Sequence, residues 1–111
     1  MRGYNRPVTP NPERPLLRPI EPHAREHKGQ KFLILTDPAG IAEGAFPVTL
    51  YGAFLLQMFD GKHAPADMQE EFRRATGREV PEADIRTLIR DLDAAGFLEG
   101  EAFEARRKKI V

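Results

Sequence analysis

Three glycines, Gly61, Gly77 and Gly96, each close an amphipathic stretch in the second half of this chain, and that punctuation constrains the fold more than any other feature. Glycine adopts the left-handed conformation that ends a helix without the penalty a Cβ would bring. Ahead of the three stretches, Lys31 to Thr36 reads KFLILT, an apolar run of strand length. The turn Asp37-Pro38-Ala39-Gly40 follows. Pro38 presets φ for the second turn position, and the Asp37 carboxylate can bond the backbone ahead of it. Ile41 to Phe46 is expected to return as the second strand of a hairpin, loosened by Gly44 and ended by Pro47.

Thr49 is a good N-cap for a first helix over residues 50–60, with Leu50, Phe54, Leu55, Met58 and Phe59 on its apolar face. Pro65 and Pro81 stand where a missing amide costs nothing, at the openings of a second and a third helix. Met68, Phe72 and Ala75 line one face of the second; Ile85, Leu88, Ile89 and Leu92 follow the helical period in the third. This order predicts an α+β chain: a winged helix-turn-helix with a short antiparallel sheet followed by three helices. Upstream, residues 1–14 read as a disordered arm and Arg25 to Gln30 as a polar loop, and Pro19 and Pro22 lack amide donors, so any strand here must lie at a sheet edge or be broken. The domain is expected over residues 15–99. Residues 100–111 begin a linker helix that stops on Ile110-Val111 without a cap, as in a piece of a longer protein.

Composition narrows the chemistry. With 111 residues the chain holds one domain. It has no cysteine, which excludes disulfides and thiolate metal sites and suits a reducing cytoplasm. Serine is absent too, so a Ser-His-Asp site is impossible. No apolar run approaches the ~20 residues that span a bilayer, and the proline-rich N-terminus has no signal-peptide core. Net charge is zero but unevenly spread: residues 1–31 carry a net +4, residues 32–100 a net −6 and residues 101–111 a net +2. An acidic body repels phosphate.

His23-Ala24-Arg25-Glu26-His27 spells H-x-x-E-H, a zinc signature when both histidines share a helical face. Pro22 and Gly29 leave barely a turn and a half of helix, so the expectation is an exposed polar loop and no metal. Glu70-Glu71 and Asp91/Asp93 fall on polar helix faces, Arg106 to Lys109 complement a helix C-terminus, and no glycine-rich phosphate loop is present. The outward surface of the third helix offers Glu82, Asp84, Asp91 and Asp93 against Arg86 and Arg90, a poor surface for DNA. The residues therefore predict a non-catalytic chain without cofactor that works by binding. A nucleic-acid binder, and a structural or regulatory domain packing on its own missing C-terminal domain, stand as alternatives.

The run KFLILTDPAGIAEGAFPVT, the ending Phe59-Asp60-Gly61, Met68 to Gly77 and Ile85 to Leu98 together resemble, over residues 15–99, the PqqD-like domain, also called the RiPP recognition element, a winged-helix module. Arg14-Pro15-Leu16-Leu17-Arg18-Pro19-Ile20 and Asp37-Pro38-Ala39-Gly40-Ile41-Ala42 are similar to the N-terminal extension of bacterial MEMO-like proteins, component B of the AmmeMemoRadiSam system. There the module precedes a larger MEMO domain across a helix like Phe103 to Ile110; no residue of that larger domain is present to be carried over. The resemblance implies a docking module for a peptide or a partner such as a radical-SAM enzyme. In the family a peptide adds as a strand beside the last hairpin strand, against the third helix. By position that edge is Ile41, Ala42, Glu43, Gly44, Ala45 and Phe46. The helix side is one of two flanks: Glu82, Arg86, Ile89 and Asp93, or Asp84, Thr87 and Asp91. The first is expected, with Ile89 as an apolar floor and Arg86 as a charge handle.

Overall fold

A computed structural model describes residues 13–42 and 44–110. The arm expected over residues 1–14 lies outside them except for its last two positions. Among the described residues there are three strands, β1 (Glu21–His27), β2 (Gln30–Thr36) and β3 (Phe46–Thr49), and then four helices, α1 (Leu50–Leu56), α2 (Pro65–Thr76), α3 (Glu82–Ala95) and α4 (Glu101–Ile110). The fold class is α+β: one antiparallel sheet in the order β1-β2-β3, with the helices packed on one of its faces. The arrangement is compatible with a winged helix.

The hairpin sits earlier in the chain than the sequence predicts. Arg25 to Gln30 is not a loop; it closes β1 onto β2, with His27 opposite Gln30. Lys28 and Gly29 both have positive φ, 52° and 79°, the two-residue turn whose twist matches paired strands. Pro22 is accommodated because β1 is an edge strand. The expected second hairpin strand, Ile41 to Phe46, is the corresponding error. Only Phe46 lies in β3. The Asp37 turn forms, with the Gly40 amide donating to the Asp37 carbonyl (2.9 Å), but the Asp37 carboxylate then takes the Ile41 and Ala42 amides (2.9 and 2.8 Å). Those donors are lost to a strand ladder, so the chain resumes pairing only at Phe46.

Thr49 caps α1 as predicted, its Oγ1 accepting from the Gly52 amide at 3.0 Å. The helix stops at Leu56 rather than near Asp60. The next three amides, Gln57, Met58 and Phe59, bond three residues back, a tightened turn that turns the Phe59 carbonyl to the Leu17 amide (2.8 Å). Gly61 and Pro15 bond likewise (2.8 Å). The segment around Leu16 and Leu17 is thus strapped between the end of α1 and the residues after α3. Gly77 and Gly96 end α2 and α3 in the left-handed region, as predicted. The core gathers Leu35 and Val48 from the sheet, Met68 and Phe72 from α2, Ile85 and Leu92 from α3, and Phe97 behind it. Phe97 also meets Phe46 edge-on at 5.9 Å, which ties the end of α3 to β3.

Candidate functional site

Sheet register decides which side chains share a face. Leu33 opposite Val48 and Leu35 opposite Phe46 look into the core; Phe32 opposite Thr49 and Ile34 opposite Pro47 look away from it. His23 and Arg25 lie on that outer face too, opposite Ile34 and Phe32. The same rule disposes of the H-x-x-E-H spacing. In a strand, His23 and His27 stand about 13 Å apart, and Glu26 points to the opposite face. His23 Nε2 instead meets Thr36 Oγ1 at 2.9 Å.

The sheet has two outer edges of unlike character. Along β1 the edge is polar and charged, Glu21, Arg25 and Glu26 being exposed, and it carries Pro22, the usual protection against unwanted pairing. Along β3 no described strand pairs with the outer side. Beside it opens a groove of about 640 Å³ between β3 and α3. Its floor is apolar, from Val48, Leu55, Phe72, Val80 and Leu88. Tyr51 stands at its mouth, 49% exposed, with its ring edge-on to Phe72 at 5.5 Å. Leu50 beside it is 53% exposed; these two are the exposed large hydrophobics among the described residues. Pro47 withdraws one amide from this short strand, so side-chain fit must supply much of any affinity the edge offers.

The expected site residues are distributed as follows. Phe46 lines the groove. Ile41 and Ala42 sit in the Asp37 loop, and Gly44 (φ 56°) and Ala45 lead out of it; Glu43 lies outside the described residues. The flank Glu82, Arg86, Ile89 and Asp93 does not face β3. Ile89 is only 5% exposed and belongs to the core, so it offers no open floor. Arg86 is paired with Glu82 at 2.7 Å and with Glu13 at 3.0 Å, which places the N-terminal segment on that side. Asp93 is half-buried; burial, with Glu101 nearby, pushes its carboxyl up. The other flank, Asp84, Thr87 and Asp91, faces the groove. Period alone could not choose, because both flanks border the same apolar stripe.

Sequence reasoning missed a second constellation. Arg18, only 5% exposed, donates from Nη1 to Asp37 Oδ2 and to the Gly96 carbonyl, both at 2.9 Å, and its Nη2 reaches Asp37 Oδ1 at 3.4 Å. The guanidinium lies 3.9 Å from the centre of the Phe103 ring of α4. Burial would push the Asp37 carboxyl up, but Arg18 and the amides of Ala42, Ala39 and Ile41 outweigh it and hold the group at about 2. The pair fastens the N-terminal segment, the loop after β2, the end of α3 and the start of α4 to one another. Its signal in the sequence is the two stretches 14–20 and 37–42, each of which contributes one partner.

No family model matches the chain, and no solved structure matches it. What the fold and the groove define is a small α+β domain whose β3 edge is unpaired among the described residues. In sequence it is similar to a MEMO1 family protein of Aquifex aeolicus (strain VF5), 36% identical over 87 residues, which is 75% of this chain. The chain spans 23% of that relative's length. Among the described residues no helix is long and apolar enough to cross a membrane.

Proposed function

We propose that this domain is a non-catalytic, cytoplasmic docking module of the PqqD-like winged-helix kind, which takes an extended segment of a peptide or partner protein as a fourth strand on β3, against α3. One observation carries the reading: the outer side of β3 is unpaired among the described residues and adjoins an apolar-floored groove, whereas the β1 edge is guarded by charge and proline. A strand added there gains backbone hydrogen bonds for affinity and pockets for alternate side chains for specificity. The likeness to a MEMO1 family protein supports a place beside a larger domain, and the resemblance to MEMO-like extensions makes a radical-SAM enzyme the partner class to try first. Because the chain spans 23% of that relative, a second reading keeps the same groove and supplies the strand from the remainder of a longer polypeptide.

The test is amide chemical-shift mapping with peptides selected from a random library against the 111-residue chain. The expected changes fall on Phe46, Val48 and Thr49 and on Thr87, Leu88 and Asp91. Thr87→Tyr, which fills the groove from an exposed position, should weaken binding about tenfold or more without loss of folding. Changes confined to Glu21–His27, or unaltered affinity in the variant, would overturn the reading.

A further inference from the structure

The groove's rim carries carboxylates without an ion-pair partner among the described residues; Asp93 and Glu101 lack one too, away from the groove. Glu70, Glu71 and Glu82, elsewhere on α2 and α3, are each paired with an arginine of their own helix. Glu79, Asp84 and Asp91 border the groove, and no side-chain partner engages any of their carboxylates among the described residues. One cation shares the rim, Arg78, whose guanidinium lies 5.6 Å from the Tyr51 ring centre rather than on a carboxylate. Asp84 and Asp91 are seven residues apart on α3, roughly 10 Å along its axis. That distance falls between the i,i+2 and i,i+4 spacings of a strand, about 7 and 13 Å, within reach of long flexible side chains.

We propose that the β3–α3 groove selects a basic strand, in which lysine or arginine at two positions four residues apart on the strand's α3-facing side meets Asp84 and Asp91, while the apolar side chain between them on that side fills the floor over Val48 and Leu88. This rests on the strand-docking reading and adds the chemical class of the occupant. Charge complementarity carries the addition: an apolar floor accepts many strands, but two unpaired carboxylates along one wall repel acidic segments and reward basic ones. The −6 carried by residues 32–100 works in the same direction at long range.

Three labelled twelve-residue peptides test this: they share one polar outward face, and on the face toward α3 apolar residues alternate with positions that are all Lys, all Gln or all Glu. Each is titrated by fluorescence anisotropy into the 111-residue chain, into Asp84→Asn/Asp91→Asn, and into Glu70→Gln/Glu71→Gln, which removes the same two negative charges away from the groove. The Lys peptide should bind best and weaken with salt. The groove variant should lose about tenfold of that affinity, the sum of two exposed charge pairs, and the control less than about twofold. Equal losses in the two variants, or equal binding of all three peptides at the groove, would overturn the charge assignment while leaving strand docking intact. Failure of every peptide to shift the β3 amides would overturn both. Concentration-dependent association through the groove, seen by light scattering, would show the occupant to be a second copy and likewise overturn the proposal.

Discussion

Asp37→Asn removes one charge and changes almost no volume, so its effect isolates the buried pair. The native carboxylate receives five donors: two from Arg18 and the amides of Ala39, Ile41 and Ala42. An asparagine offers one acceptor oxygen and a donor group in place of the other. Either orientation aims that donor at other donors and leaves the Arg18 charge buried without its counter-ion. Breaking a buried pair from one side costs about 3–5 kcal/mol, a large part of the roughly 5–15 kcal/mol that holds a domain of this size. The acid branch gives an independent figure. The folded-state value of about 2, against an ordinary 3.8, corresponds to about 2 kcal/mol of stability. Because the folded value is the lower one, that stability is fully present above pH ~4 and is lost as pH falls toward 2. Urea unfolding followed by circular dichroism, at pH 7 and stepwise down to pH 2, reads both. The variant should be the weaker by several kcal/mol at pH 7, and the gap should close on acidification. Hydrogen exchange at Ile41 and Ala42 should quicken at the same time, since their amides bond the altered group. A loss below about 1 kcal/mol at pH 7, or parallel pH curves, would refute the account of Asp37 as the clamp of this region.

Two further outcomes are expected from the backbone. Gly96→Ala should destabilise more than Gly77→Ala. Both glycines have positive φ, but a Cβ at Gly96 would lie 2.7 Å from Arg106 Cδ and 3.3 Å from the Ala42 backbone, while one at Gly77 meets nothing within 4 Å. Thermal unfolding should show about 1–2 kcal/mol for Gly77→Ala and measurably more for Gly96→Ala; equal costs would mean that the close approach to Ala42 yields freely. Thr49→Ala should cost about 1 kcal/mol through loss of the cap on Gly52, and Thr49→Asn should restore most of it.

The helical half of the molecule was legible because its signals are local. A proline at the first turn, a 3.6-residue apolar period and a glycine at the end specify α2 and α3 without reference to any distant residue, and the structure places them within a residue or so of expectation. The sheet was less legible. Asp37-Pro38-Ala39-Gly40 makes a turn as good as Lys28-Gly29, and nothing local says that the first is consumed by an ion pair with Arg18, nineteen positions away. Lys28 with φ 52° is also an uncommon choice for a hairpin turn, so the true corner carried a weak signal. The flank that borders the groove was illegible for a related reason. Glu82, Arg86, Ile89 and Asp93 form a face as plausible as Asp84, Thr87 and Asp91 until the strap from Glu13 is seen to occupy the first side.

The groove and the Arg18–Asp37 clamp are linked by a single packed path. Phe46 lines the groove and meets Phe97; the Phe97 carbonyl receives the Arg18 amide at 3.0 Å, and the Gly96 carbonyl before it receives the Arg18 guanidinium. Contiguity of this kind carries a signal only if some member has two arrangements of similar energy. Phe97 is fully buried, and Asp37 is held by five donors in one geometry; neither has a second place to go. The path is therefore a brace. It fixes β3 relative to α3, so the walls of the groove are held without an occupant, and a strand docked as proposed would find them already ordered. It also fixes the base of α4 through the Phe103 ring over Arg18.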